Sequence, residues 1–417
     1  MVWNKLFKTD FTKDVFVLAS SSFIAQGINF VFSIFLARIY LPEYFGTLSV
    51  FLTLAGFINV VASGKFDVAL VAAKTETDAK MLFSLSFIVL AIISVLSFLF
   101  IGFIFIFDLP VYEHQEVRTW LFYLLFSIVF LTGTQVFWMY NVRQKNFKKI
   151  SYLRIVETLV TGVGSLAFMH LFSKGLLFGT LAGQAITFIL LAIIIFNNTP
   201  LASFLFTRKE LLETFRKYSS FPKINIPQGF LDMFQIGVLT LLLSKYYGAE
   251  ATGYYALCSR VLQLPMRLII QPIAQVFFAE ASEQFRNNHS LFPLVKRTVK
   301  KSFYILIAIP VILILFGPTL FSLIFSSAWN EAGEYARILS LWIFFDLIRS
   351  PISQVASILG KQKQVLVMGI ISALSFVLVM ISASVYSLPI HTTLWLVTAT
   401  QSAMCIAVII YILKISK

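Results

Sequence analysis

Leu85-Ser-Phe-Ile-Val-Leu-Ala-Ile-Ile-Ser-Val-Leu-Ser-Phe-Leu-Phe-Ile-Gly-Phe-Ile-Phe-Ile-Phe107 carries no charge and does not alternate polar with apolar positions. Wound as a helix at 1.5 Å per residue, it covers the roughly 30 Å of hydrocarbon in a bilayer. A barrel strand would alternate over about ten residues, so this stretch reads as a transmembrane helix. The whole chain shares its character: of 417 residues, 59% are hydrophobic and 12% charged, with a mean hydropathy of +0.87. Water-soluble domains carry about 25% charged residues to wet their surfaces, so a soluble fold is excluded.

Outward from this stretch, the same ruler marks twelve spans, at about 15–37, 46–66, 81–107, 119–140, 150–172, 175–196, 221–243, 252–279, 302–325, 336–358, 365–386 and 392–413. The chain is expected to be an all-α polytopic membrane protein. The first span follows Lys5, Lys8 and Lys13 without a cleavage pattern and reads as a retained helix. Basic residues orient the set. With a cytoplasmic N-terminus, 25 Lys and Arg fall in cytoplasmic segments, against five on the other side: Arg38, Arg118, Lys174, Lys245 and Arg337. That bias assigns both termini to the cytoplasm. Most of the net charge of +14 is thus topological. With no nucleic-acid module in the chain, nucleic acid is not an expected partner. The longest polar connections, Asn197–Lys217 and Ser282–Lys301, read as short cytoplasmic amphipathic connectors.

An internal repeat divides the chain. Offset by 207 positions, Leu36-Ala-Arg-Ile-Tyr-Leu-Pro-Glu-Tyr-Phe-Gly46 meets Leu243-Ser-Lys-Tyr-Tyr-Gly-Ala-Glu-Ala-Thr-Gly253, with Leu36/Leu243, Tyr40/Tyr247, Glu43/Glu250 and Gly46/Gly253 identical. Both segments join the first and second span of a six-helix set. An even number of spans per repeat makes the repeat parallel, with a pseudo-two-fold axis along the membrane normal. The expected architecture is two six-helix lobes, 1–207 and 208–417, around a central cleft.

Intramembrane charge costs about 2.5–3.5 kcal/mol per residue on insertion scales and needs a reason. In the eighth span Arg260, Gln263, Arg267, Gln271 and Gln275 recur every three or four residues, one helical face about 22 Å long. No acidic residue occurs in that span before Glu280, and Pro265 and Pro272 interrupt it. Snorkelling would account for one arginine at an interface, with the glutamines joining helices. The sharper reading is that Arg260 and Arg267 bind an anion, phosphate above all, in the cleft. The seventh span carries Asn225, Gln228, Asp232 and Gln235 on one face, and the first carries Ser22, Gln26, Asn29 and Ser33. Interhelical hydrogen bonding and cleft lining are both open for these. Asp346 and Arg349, three apart in the tenth span, form either a local ion pair or a gate, and Arg154 and Glu157 repeat that spacing. Asp67 marks the end of the second span beside Lys65.

Other chemistry is sparse. Cys258 and Cys405 lie in apolar runs, and His114, His170, His289 and His391 lack metal-ligand spacing. No glycine-rich phosphate loop is present. No cofactor is expected; if transport is coupled to H+ or Na+, Asp232 is the first carboxylate to test.

Several motifs resemble those of the polysaccharide and O-antigen flippases in the multidrug/oligosaccharidyl-lipid/polysaccharide exporter superfamily. They are Ala37–Gly46, Phe221-Pro-Lys-Ile-Asn-Ile-Pro227, Leu243-Ser-Lys-Tyr-Tyr-Gly248, Gly253-Tyr-Tyr-Ala256, Arg260-Val-Leu-Gln-Leu-Pro265 and Gln275-Val-Phe-Phe-Ala-Glu-Ala-Ser282. The resemblance covers the whole chain in topology and about 36–50 and 220–285 in motif. It implies a bacterial inner-membrane protein that moves polyprenyl-diphosphate-linked oligosaccharide to the outer leaflet by alternating access, for O-antigen, capsular or exopolysaccharide synthesis. Arg260 and Arg267 would hold the diphosphate, and Gln263, Gln271 and Asp232 would meet sugar. Membrane lipid and the polysaccharide polymerase machinery are the implied partners. A multidrug or lipid II transporter of the same superfamily is the first alternative. A membrane polymerase is the second, disfavoured by the short non-cytoplasmic loops.

Overall fold

The computed structural model describes residues 10–107, 115–171 and 173–417, which form α-helices joined by short 3-10 and π turns and include no strand. Lys5, Lys8 and His114 lie outside the described residues, as does the side chain of Lys13. The helices are α1 (Asp10–Ile39), α2 (Pro42–Ala62), α3 (Phe66–Ala72), α4 (Glu76–Ile106), α5 (Gln115–Arg143), α6 (Phe147–Ala167), α7 (Ser173–Asn198) and α8 (Arg208–Lys217). They continue as α9 (Ser220–Leu262), α10 (Gln271–Arg286), α11 (Phe292–Leu306), α12 (Ala308–Ile324), α13 (Asn330–Ile352), α14 (Val355–Ile358), α15 (Gln362–Val385) and α16 (Ile390–Ile415). The chain is an all-α polytopic membrane protein.

The opening stretch lies within α4. Thr75 caps that helix by accepting the Asp78 N–H. Leu85, Leu90, Ile101 and Ile104 are buried, whereas Ile92, Leu96, Phe98, Leu99, Phe100 and Phe103 are exposed. An apolar surface of this extent is stable only against lipid. Helix packing uses a glycine ridge that the sequence reading did not single out. Gly175, Gly179 and Gly183 recur every fourth residue along α7, facing the Phe168 carbonyl, the Ser165 backbone and Thr161. With no side chains on the ridge, α6 and α7 approach closely, the small-residue packing of membrane helices. At the polar periphery, Thr207 and Glu210 form a reciprocal capping box that starts α8. The Thr207 hydroxyl and backbone N–H hold the Glu210 carboxyl below its ordinary range.

Ten described helices are long and apolar enough to cross a membrane, where the sequence led to twelve. The expected seventh and eighth spans are not among these ten. Ser220–Phe234 and Gly237–Leu262 pass only as a bent pair, and the eighth is split between α9 and α10. Both segments carry polar and charged residues, and the chain bends by 44° within the first and forms a π turn between Pro265 and Pro272 in the second.

Helical geometry also fails inside α9 at Gly248, with φ 86° and ψ 179°, a conformation in effect restricted to glycine. The repeat register sets Gly248 opposite Leu41, the extended residue between α1 and α2. Further contacts follow the same register. Tyr40 donates its hydroxyl to the Ser165 carbonyl in α6, and a Cβ at Gly175 of α7 would meet that hydroxyl. Tyr247 donates to the Leu388 carbonyl, 3.0 Å away between α15 and α16, and bonds Thr393 Oγ1 at 2.6 Å. Each tyrosine therefore reaches the junction of the last two long helices in its own half.

By packing, the chain forms two compact units, Met1–Lys245 and Tyr246–Lys417. The first part of α9, placed by the repeat in the second half, packs within the first unit, where Phe230 stacks on Phe57 of α2. The first unit's core gathers Phe66, Leu70, Phe83, Phe137, Tyr140 and Phe204. The second unit's core gathers Ile270, Phe277, Leu294, Phe344, Leu347 and Ile412.

Candidate functional site

The basic polar face is carried by the end of α9, a π turn and the start of α10. Ordinary helical bonding reaches Gln263, whose backbone N–H bonds the Ser259 carbonyl at 3.0 Å. Pro265 and Pro272 supply no N–H, so the α-type ladder is interrupted at both. Between them Met266–Ile270 takes up π geometry, and the Gln271 N–H bonds the Met266 carbonyl, five residues back. The expected single regular face is therefore broken. Gln271 stands above Met266 instead of Arg267, and Gln271 and Gln275 start a new helical register. Arg260 is half-buried, while Gln263, Gln271 and Gln275 are exposed; the side chain of Arg267 lies outside the described residues.

On the first part of α9, Gln228 and Asp232 are exposed and 3.5 Å apart. Asn225 donates to the Phe221 carbonyl at 3.0 Å, and the Gln235 side chain lies outside the described residues. On α1, Ser33 donates to the Asn29 carbonyl at 2.7 Å, whereas Ser22 accepts from Arg154 at 2.5 Å. Arg154 thus crosses to another helix and lies over the Trp138 ring, a partnership that its spacing to Glu157 does not foretell. Asp346 and Arg349 form a local ion pair at 2.5 Å, with Cys405 Sγ of α16 at 4.0 Å.

Sequence reasoning took Asp67 for a span end and missed its buried network. Asp67 is fully buried in the first turn of α3, where it accepts from Ser63 Oγ at 2.6 Å and Gln135 Nε2 at 2.7 Å. Gln135 in turn accepts from Asn59 Nδ2 at 3.0 Å, and Asn59 accepts from Thr132 Oγ1 at 2.7 Å. The left-handed pair Gly64 and Lys65 turns the chain so that Ser63 and Asp67 face each other. Arg143 closes the other end of α3, donating to the carbonyls of Leu70, Ala73 and Thr75 and to Glu76. Gly64-Lys65 was the available signal, a turn before a carboxylate. Among the described residues, no group of three His, Cys, Asp or Glu could hold a metal ion.

Solved transporters share this arrangement of helices. An inward-facing multidrug resistance MATE family transporter of the MOP superfamily is 14% identical, with a TM-score of 0.69 over 95% of this chain and 94% of the other. The lipid II flippase MurJ, in an inward closed conformation, is 17% identical, with a TM-score of 0.71 over 96% and 87%. A MOP superfamily transporter from Pyrococcus furiosus, reported with a binding pocket of reverse polarity that suggests a different function, is 14% identical with a TM-score of 0.61 over 99% and 97%. The fold is therefore that of MOP superfamily transporters. Within that class, the chain belongs to the polysaccharide biosynthesis protein family, which matches residues 35–334. Among curated proteins, none matches the chain in sequence.

Proposed function

We propose that the protein is a flippase that carries polyprenyl-diphosphate-linked oligosaccharide repeat units from the cytoplasmic to the outer leaflet of a bacterial inner membrane, by alternating access of two lobes around a central cleft. The observation that carries this reading is the basic, proline-broken eighth segment in a chain of the polysaccharide biosynthesis family. Arg260 and Arg267 supply forked guanidinium donors matched to phosphate oxygens. The carbonyls freed by Pro265 and Pro272 and the amides of Gln263 and Gln271 offer hydrogen bonds to sugar. The prenyl chain stays in lipid. Moving a polar headgroup in this way requires no covalent step, so none of these residues is assigned an enzymatic role. Asp232, exposed and close to Gln228, is a sugar contact or a coupling carboxylate for H+ or Na+, and Asp346 with Arg349 acts first as a self-neutralising pair. Both termini lie in the cytoplasm.

The likeness to MurJ supports a second reading, lipid II transport, whose cargo shares the polyprenyl diphosphate. The P. furiosus transporter, with its binding pocket of reverse polarity, supports the idea that pocket polarity, more than fold, selects the cargo. In cells that depend on this chain for surface polysaccharide, Arg260→Ala and Arg267→Ala are each expected to abolish that polysaccharide while the protein accumulates in the membrane. Full surface polysaccharide in both variants would refute the anion site.

A further inference from the structure

A second basic feature lies on α11, after the broken eighth segment. In α11, Lys296, Val299, Lys300, Phe303 and Tyr304 recur at helical spacing and, with Leu413 of α16, line a groove of about 320 Å³. Its two ends differ in chemistry. Lys296 and Lys300 form one end, and Phe303 and Tyr304, 42% and 67% exposed, continue it toward the apolar part of the helix. Phe292–Ile324 is one apolar segment long enough to span a membrane, so the lysines stand at its basic interface and the aromatic rings lie deeper. The groove is held in shape from both sides. The Phe303 ring packs on Phe344 at 5.4 Å, and Ser290 Oγ donates to the Ser416 carbonyl at 3.2 Å, fixing the last residues beside α11.

Charge decides what this groove suits. Arg297, next to Lys296, is paired with Glu280 at 2.7 Å. Among the described residues, neither Lys296 nor Lys300 has an ion-pair partner. The Lys417 ammonium adds positive charge nearby, 5.5 Å from the Phe292 ring that Lys296 also approaches at 6.0 Å. Two like charges one helical turn apart destabilise a helix, and an anion between them would reverse that.

We propose that this groove holds one anionic glycerophospholipid of the surrounding membrane, its phosphate between Lys296 and Lys300 and an acyl chain along Val299, Phe303, Tyr304 and Leu413. Charge and shape both enter. A basic patch alone would attract any anionic surface, whereas an apolar channel leading from the patch into hydrocarbon selects a molecule with a phosphate and a chain. The site uses none of the residues assigned to the cargo and does not depend on the transport assignment.

The test is native mass spectrometry of the full chain in detergent, titrated with phosphatidylglycerol and phosphatidylcholine of the same acyl length. The expected result is one retained phosphatidylglycerol, preferred about tenfold or more, since each lysine at an anionic surface is worth about 1 kcal/mol. Lys296→Gln with Lys300→Gln should reduce that preference to the phosphatidylcholine level. Leu413→Trp should weaken retention of the lipid with every charge in place. Lys209→Gln with Lys301→Gln removes the same charge elsewhere and should change nothing. Equal loss in this last pair, no effect of Leu413→Trp, or equal retention of the two lipids would overturn the proposal. So would a polyprenyl diphosphate that displaces phosphatidylglycerol at equimolar concentration, because the groove would then belong to the cargo.

Discussion

Asp67 is buried to 0% exposure and held by two side-chain donors, Ser63 Oγ and Gln135 Nε2. A carboxylate in such surroundings depends on its donors, because removing one leaves an acceptor that water cannot reach. Gln135→Leu is therefore expected to destabilise the first unit by about 1–3 kcal/mol, read as a thermal midpoint several degrees lower in detergent. Gln135→Glu should be worse, setting a second carboxylate against the first. An unchanged midpoint in Gln135→Leu would show that Asp67 does not need this bond. The sequence shows Asp67 beside Lys65 and suggests only a helix end. Its partner Gln135 is 68 residues away, and local spacing carries no trace of it. Asp346 and Arg349 were legible because both partners sit one turn apart on one helix, whereas the Arg154 contact to Ser22 spans 132 residues.

The segment from Gln263 to Pro272 contains two prolines seven residues apart and the π turn between them. The prolines were visible in the sequence as an interruption. The five-residue bond from Gln271 to Met266 was not, because it depends on how the carbonyls between them are satisfied. Pro265→Ala restores an N–H donor and removes an interior penalty of up to about 3 kcal/mol. The expected outcome is a thermal midpoint equal to or above that of the unaltered protein, together with a several-fold loss of surface polysaccharide. Undiminished polysaccharide would show that the break is not needed for transport. Apolar segments such as α4 could be read directly, since a lipid-facing helix displays its apolar residues along its whole length. The seventh and eighth segments were harder, since polar positions that serve a site are the ones that lower the hydropathy used to find a span. The glycine ridge of α7 was also present as Gly175, Gly179 and Gly183, but what it packs against is a tertiary fact.

Across the whole molecule, 33 basic residues stand against 19 acidic ones. Most of the basic residues fall in segments that the proposed orientation makes cytoplasmic, and that orientation puts the connection between α10 and α11 in the cytoplasm. A reporter enzyme fused at Asn288 should accordingly show cytoplasmic activity in intact cells; activity on the outer face would invert the topology and with it the direction of transport. The cargo proposal rests on Arg260 and Arg267, and the lipid proposal on Lys296 and Lys300, which the topology count also includes. The family is one of polysaccharide biosynthesis and the fold is that of membrane transporters; the proposal at the centre is that the protein carries a glycan precursor and grips its diphosphate through two arginines. The most direct measurement is translocation of a fluorescent polyprenyl-diphosphate disaccharide in proteoliposomes, followed by quenching of the outer leaflet. The unaltered protein should move label between leaflets. Arg260→Gln with Arg267→Gln should slow that movement at least about tenfold, since a lost charge-assisted hydrogen bond is worth about 1.5–3 kcal/mol. Movement at the unaltered rate in the double variant, with equal protein in the vesicles, would contradict it.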